Sequence, residues 1–405
     1  MLKRYFLNNK KRNFSIASIW IKGGSDMDSA SKKGVNKILC SLLTRGCEGF
    51  NNFTLSEYIE SYGAELNQEV FEDGILISIK SLNEHFSKLF PLLDLIINKP
   101  ILSETEFKKV KKSSIDYLKK DKENPFNICF EKWRKIVYSN HPYASNTIGN
   151  ANDVSKITYK DILLEFKNFK NREKYLISNN PEINGEDFGT LEKKILKEKS
   201  GRLNYNLDPT NRFDYINNDS NQTIIMIGDQ TCSRRSSDYL PLKVLESYLS
   251  YGMSAALFKL FREKHGITYD LGVYYPIRSG NSPFLIYLSV SNKQALFAFE
   301  LLSTLWENFL FHPLTDSEIF LAKEKLKGSF LLRNQSLDEI LQRKIQLISY
   351  GIPPISELDL NSKIEEISSL DILKLTNKYF SKPFLSIAGN KKICLEISNR
   401  WKKTF

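Results

Sequence analysis

The sequence predicts an α+β protein of two homologous domains, each a mostly antiparallel sheet flanked by helices. Three pairs of matched stations, met in the same order in each half of the 405-residue chain, predict it. In chain order the first is a helix that stops at Gly63 or Gly266 and leads into a β-hairpin. Glu65 to Phe71 turns at Glu72-Asp73-Gly74 into Ile75 to Lys80. Ile267 to Tyr275 turns through Arg278-Ser-Gly-Asn-Ser into Phe284 to Val290.

The second station is an apolar or amphipathic helix followed by a capping box. Helices are expected over about 83–98 and 294–311, and the boxes are Ser103-Glu-Thr-Glu106 and Thr315-Asp-Ser-Glu318. The third is another box opening an apolar helix: Thr158-Tyr-Lys-Asp161 and, 210 positions on, Ser368-Ser-Leu-Asp371. Each leads to a short apolar strand, Tyr175 to Ser178 or Phe384 to Ala388. Between Lys193 and Arg212 the chain turns charged and polar, with a proline at 209, as linkers do. The expected division is therefore residues 1–192, a linker over 193–212, and residues 213–405.

Composition narrows the function classes. No apolar run reaches the roughly 18–20 residues of a membrane span; even Ala295 to Phe311 is broken by Glu300 and Glu307. The basic segment Met1 to Arg12 is not followed by an apolar stretch with a small-residue cleavage site, so no secretory signal is expected. Five cysteines (Cys40, Cys47, Cys129, Cys232, Cys394), odd in number and without a CxxC pair, suit free thiols and a cytoplasmic protein. The 58 basic and 47 acidic residues leave a net charge of +11, but the lysines are dispersed among acids. A nucleic-acid partner, which would need a clustered basic face, is not expected.

Several segments taken in order resemble the insulinase/pitrilysin family of metallopeptidases, in its shorter bacterial and mitochondrial-processing-peptidase branch. They are Ile19-Trp-Ile-Lys-Gly-Gly-Ser25, Gly34 to Gly46, Ile59 to Asn67, His141-Pro-Tyr143 with Gly149, and Leu257 to Tyr269. The resemblance covers nearly the whole chain. It implies an inverted zinc motif, His-x-x-Glu-His, on the helix expected over about 31–45. That spacing puts two imidazoles on one helix face with a glutamate near metal-bound water. In register, Lys37 and Ser41 stand where the histidines would be and Cys40 where the glutamate would be. Lysine repels a metal cation, serine is a poor neutral ligand, and a thiol is no equivalent of the carboxylate base. The family's third ligand maps to Asp116 or Tyr117, and one carboxylate without imidazoles makes no zinc site. The four histidines, His85, His141, His265 and His312, are never closer than 47 positions, so no local pair replaces the motif. No metal is expected in this chain.

The resemblance also implies an arginine and a tyrosine seven residues apart in the second domain, reaching the substrate. Both are kept, as Arg262 in the last turn of a helix and Tyr269 on the strand that follows. A guanidinium and a phenol there are fit to hydrogen-bond a carbonyl as it becomes an oxyanion. The same residues also serve ordinary roles, a cation at a helix C-terminus and a tyrosine on an alternating strand. One departure stands beside the pair: where relatives often carry a further arginine after the Gly-Met-Ser turn, this chain has Gly252-Met-Ser-Ala-Ala256.

The implied function is the non-metal-binding subunit of a heterodimeric zinc peptidase, inactive alone. Its partner would be a paralogous chain that carries zinc on an intact His-x-x-Glu-His, and its substrate an extended peptide against a sheet edge. The alternative is a catalytically inert structural or peptide-binding subunit with the same fold.

Overall fold

β2 (Phe14–Lys22) and β8 (Gln222–Gln230) are buried along most of their length, serines and a threonine included, because each lies inside a sheet that is covered on both faces. The computed structural model describes residues 2–8, 12–187, 212–218, 220–268, 270–353 and 357–404.

The first sheet runs β3 (Glu65–Val70), β4 (Gly74–Leu82), β2, β5 (Lys174–Ser178), β1 (Leu2–Phe6), β6 (Glu186–Asp187). Pairing is antiparallel from β3 to β5 and parallel from β5 to β6. The second runs β7 (Phe213–Asn217), β11 (Phe384–Gly389), β8, β10 (Pro283–Ser291), β9 (Asp270–Tyr274). Its β7–β11 pair is parallel and the rest antiparallel. The two sheets thus repeat one plan: β1 to β5 of the first correspond to β7 to β11 of the second. This is the two-domain α+β fold the sequence predicts.

The helices follow the same repeat. In the first half they are α1 (Val35–Leu43), α2 (Asn52–Ser61), α3 (Phe86–Asn98), α4 (Glu104–Asp121), α5 (Pro125–Tyr138), α6 (Ala151–Lys156) and α7 (Tyr159–Lys170). In the second half they are α8 (Tyr239–Ser250), a π-helix (Phe258–Lys264), α9 (Ala295–Phe311), α10 (Asp316–Arg333), α11 (Leu337–Ser349), α12 (Glu357–Glu365), α13 (Ser369–Phe380) and α14 (Lys391–Thr404). Three of the four expected capping boxes close; at the fourth, Glu106 N donates to Ser103 Oγ at 3.5 Å, but the Glu106 carboxylate pairs with Arg45 and Lys109 instead of the Ser103 backbone. Thr158 and Asp161 satisfy each other's backbone at the start of α7, and Ser368 and Asp371 do so at α13. Thr315 N donates to Glu318 Oε2 at 2.9 Å, and Glu318 N to Thr315 Oγ1 at 3.3 Å, ahead of α10.

Two compact units result, and they do not follow the two halves of the chain: residues 121–144 belong to the second unit and residues 333–353 to the first. Each half lends one helix to the other's sheet. α5 packs on β7, β8 and β11, and α11 packs on β2 and β5. The alternation along β8 shows what this does to the core. Ile225 and Ile227 face the main helix layer, with Leu242, Phe261, Phe299 and Trp306. Ile224 and Met226 face the opposite way, onto Cys129, Trp133 and Val137 of α5. Trp133 is fully buried and its indole N–H donates to the Phe384 carbonyl at 3.4 Å. In the first unit, Leu341, Ile345 and Ile348 of α11 are buried, and Tyr350 just beyond it donates from its hydroxyl to Asp73 Oδ2 at 2.9 Å. Large side chains buried this way contribute about 1.5–3 kcal/mol each, so the lent helix is a main support of the sheet that receives it.

Residues 193–211 of the expected linker lie outside the described residues. Among the described residues no helix is long and apolar enough to cross a membrane.

Candidate functional site

In the first unit the helix expected over about 31–45 is α1, and its start is fixed by a buried carboxylate rather than by an N-cap side chain. Asp28 Oδ2 accepts from Gly34 N at 2.6 Å, while Oδ1 accepts from Asn36 N at 3.1 Å and Asn36 Nδ2 at 2.7 Å. Gly34 has φ +94°, and a Cβ there would come within 2.2 Å of the Ile148 carbonyl oxygen, so only glycine fits. Arg172 secures the same corner: its Nη1 donates to Gly23 O and Asn36 Oδ1, both at 2.9 Å, and its Nη2 pairs with Glu165.

This frame presents Lys37, Cys40 and Ser41 on one face of α1, at the i, i+3 and i+4 spacing. Lys37 and Ser41 are half-buried and Cys40 is fully buried. The Cys40 thiol donates to Gln68 Oε1 of the edge strand β3 at 3.1 Å. Burial pushes this thiol up to about 12, with the Lys37 ammonium pulling the other way. At neutral pH it is therefore a protonated, shielded S–H, neither a metal ligand nor a base. Lys37 also faces the Glu69 carboxyl of β3; burial raises that carboxyl and Lys37 opposes the rise.

Asp116 and Tyr117 lie on α4, both exposed, Tyr117 by 54%. Neither makes a hydrogen bond or ion pair with the α1 face among the described residues. No three His, Cys, Asp or Glu side chains gather to hold a metal ion among the described residues either. The donor set at this face does not fit zinc. The histidines are likewise dispersed; His141 accepts from Tyr143 N through Nδ1 at 3.1 Å, and burial beside the Arg278 guanidinium pulls it down to about 4, so it is neutral.

The second unit repeats the same helix face with different chemistry. Lys37-Ile-Leu-Cys40-Ser41 recurs, 206 positions on, as Lys243-Val-Leu-Glu246-Ser247 of α8, and Gly46 as Gly252. Here lysine and acid meet. Lys243 Nζ lies 2.6 Å from Glu246 Oε2 and donates to the Tyr275 carbonyl at 2.8 Å, in a buried pocket walled by the Tyr275 ring. This fourth matched station is not among the three pairs named above, although the Lys-x-Leu-x-Ser repeat announces it in the sequence.

After α8 the chain turns at Gly252 (φ +75°) and enters the π-helix. A π-turn is the rare widening of a helix that is frequent at functional sites. Arg262 sits on it, exposed, with its guanidinium 5.0 Å over the Phe258 ring. Gly266 closes the helix through its N–H to the Arg262 carbonyl at 3.2 Å, and Ile267 N donates to Phe261 O at 2.9 Å. The following strand accordingly begins at Asp270, not at Ile267 as the alternation of apolar residues predicts. Tyr269 lies outside the described residues. Arg262 borders an open pocket of about 230 Å³ lined by Ser250, Gly252, Met253, Phe258 and Leu271.

Comparison with known proteins identifies the family and the fold. Residues 4–151 match the family described as insulinase (peptidase family M16), and residues 182–326 match the peptidase M16 inactive domain. An uncharacterized zinc protease of Rickettsia felis is 22% identical over 369 residues, covering 89% of this chain and 88% of the relative. A non-peptidase homolog, YmxG, of Helicobacter pylori is 20% identical over 393 residues, covering 92% and 88%. Among solved structures, a peptidase M16 inactive domain from Pseudomonas fluorescens superposes with a TM-score of 0.83 at 20% identity, covering 96% of this chain and 95% of that one. A Helicobacter pylori protease superposes with a TM-score of 0.82 at 16% identity, covering 95% and 96%.

Proposed function

The chain belongs to the insulinase (M16) peptidase family, and on that premise we propose that it is the non-metal-binding subunit of a zinc-dependent peptidase. A paralogous subunit with an intact His-x-x-Glu-His supplies the metal and the general base. This chain supplies hydrogen-bond donors and part of the surface that holds the peptide. The observation that carries the reading is the contrast between two helix faces. The Lys37, Cys40, Ser41 face offers no metal ligand and no base, its thiol buried and protonated. The π-helix instead presents an exposed guanidinium at the rim of a pocket.

In this role Arg262 directs its planar fork at a substrate carbonyl oxygen, and Tyr269 adds a phenolic donor to the same oxygen as negative charge develops there. A donor held on a helix, as Arg262 is, needs little reorganisation when charge appears, which is why such a group favours the tetrahedral intermediate over the bound peptide.

The name of the Helicobacter pylori relative, a non-peptidase homolog, supports a second reading, an inert structural or peptide-binding subunit. One experiment separates the two. The chain is purified with an M16 paralogue that bears the intact motif, zinc is added, and peptide turnover is measured for the pair and for each chain alone. Turnover by the pair only, lost with Arg262→Ala, supports the catalytic subunit. Turnover by the paralogue alone, unchanged by this chain, supports the inert one.

A further inference from the structure

α4 and α10 are the same helix of the internal repeat, 18 residues each, opened by the matched sequences Ser103-Glu-Thr-Glu106 and Thr315-Asp-Ser-Glu318, 212 positions apart. Their inward faces agree: Phe107 and Val110 are buried in α4, as are Ile319 and Ala322 at the matching positions of α10. Their outward faces do not. α4 exposes Lys108, Lys109, Lys119 and Lys120, an ordinary solvated face. At those four positions α10 carries Phe320, Leu321, Leu331 and Leu332, all exposed, Phe320 and Leu332 by 65% each. Lysine serves the fold equally well there, so the apolar residues answer no need of the fold itself. A helix that is apolar on its outer as well as its inner side belongs in a buried setting.

Eleven residues make three turns, so Phe320 and Leu331 form one row along α10 and Leu321 and Leu332 the next. Gly328 lies between the rows, and a Cβ there would meet nothing within 4 Å. The chain's own packing therefore makes no use of the missing side chain, although glycine is a poor helix former. What it leaves is an open notch in the apolar face. The face also reads the same in both directions about Leu326: Phe320 and Leu332 stand six residues to either side, Leu321 and Leu331 five, Glu324 and Gly328 two. Such symmetry is what an isologous contact requires, in which residue i meets j and j meets i.

We infer that α10 is a docking surface for the α10 helix of a second copy of this chain, the two packed antiparallel about the level of Leu326. Each row is then set against itself, Phe320 against Leu331 of the second copy and Leu321 against its Leu332. Glu324 arrives over Gly328 of the second copy, between its Lys325 and Lys327. The charges are complementary there. Lys325 makes no ion pair among the described residues, and burial together with the Lys259 ammonium lowers its pKa. Glu324 Oε1 accepts from Lys327 of its own helix at 2.6 Å, which leaves Oε2 for the second copy. The same carboxylate, in the middle of the apolar face, argues against a lipid surface as the occupant, since it would enter hydrocarbon with no new cation to meet. The inference is independent of the zinc-peptidase reading.

The test uses the full-length chain alone, without paralogue or zinc. Sedimentation velocity over a concentration series should show a monomer–dimer equilibrium. A single helix pair belongs to the weak class of interfaces, below about 1,200 Å² in total, so a Kd of about 1–100 μM is expected. Phe320→Lys and Leu332→Lys install the lysines that α4 carries at the same positions, so the fold should be unchanged by circular dichroism while Kd rises about tenfold or more. Gly328→Leu should weaken the pair by filling the notch, and Glu324→Lys by bringing ammonium to ammonium. Register is read by cross-linking: Leu321→Cys mixed with Leu332→Cys should form a disulfide on mild oxidation and Leu321→Cys alone should not, the native thiols being buried. A chain that is monomeric at every concentration, a dimer indifferent to the lysine substitutions, a disulfide between like residues, or an α10 face covered only when the paralogue or anionic vesicles are added would overturn the inference. The subunit reading stands or falls separately, on turnover with the paralogue.

Discussion

Lys243 Nζ sits 2.6 Å from Glu246 Oε2, one helical turn away, with both side chains over nine-tenths buried. These positions correspond, through the internal repeat, to Lys37 and Cys40, so the same helix face carries an ion pair in one unit and a lysine beside a thiol in the other. Removing one partner of a buried pair strands the other charge. Glu246→Ala should cost about 3–5 kcal/mol in chemical denaturation, whereas Lys243→Met combined with Glu246→Leu should recover most of that loss.

The corresponding change in the first unit has a clear expectation. Cys40→Glu should give Lys37 an ion-pair partner as in α8, and zinc content measured by mass spectrometry should stay at the wild-type level. Zinc uptake should rise only when Lys37→His and Ser41→His are added, because a metal site needs imidazole donors as well as the carboxylate.

All five cysteines are free and buried, and burial pushes the Cys40 and Cys129 thiols up to about 12. The native chain at pH 8 should therefore react with an aromatic disulfide reagent hardly at all, and all five thiols should titrate in denaturant.

Burial, with the Asp73 carboxylate nearby, pushes Asp26 up to about 7. The folded chain thus holds this proton more tightly than the unfolded chain, whose value is near 3.8. Its contribution to stability is present in full below pH 4 and is lost as pH rises through 7. Asp26→Asn should remove that loss: relative to wild type, the variant should gain on the order of 1–3 kcal/mol between pH 4 and 8, read from denaturation midpoints.

In the reconstituted pair, Arg262→Ala and Tyr269→Phe should each lower kcat by about a hundred- to a thousandfold, the usual effect of losing one oxyanion donor. Complex assembly, measured by gel filtration, should be unaffected by either.

Trp133→Ala, a change in the N-terminal half, should destabilise the second sheet by about 3–5 kcal/mol, because the indole fills the face of β8 and β11 that α5 covers. Hydrogen exchange should show the loss in β7, β8 and β11 and leave β2 to β5 protected.

Much of this was legible in the sequence, and the reasons differ by element. The hairpins, α7 and α13 were readable because their signals are local: turn residues, capping boxes and apolar period. β1 and β7 were not, since each is a short edge-side strand fixed by parallel pairing with β5 or β11, more than 160 residues away. The lent helices were invisible for the same reason: an apolar stripe such as Trp133 and Val137 declares that it will be buried, not by which sheet. At the site, the common helix of Lys37, Cys40 and Ser41 and their i, i+3, i+4 spacing are legible because both are local. The π-turn under Arg262 and the late start of β9 were not, because they arise from how Gly266 and Ile267 close onto the helix end.

The lending of α5 and α11 also sets an order on biosynthesis. When β5 of the first unit leaves the ribosome, the helix that covers the back of that sheet has not been made; about 160 residues must follow before Leu337 arrives. At roughly 5–20 residues per second that is about 8 to 32 s. During this interval Trp20 and its neighbours on β2 lack their cover, so the nascent first unit is a natural client for a chaperone.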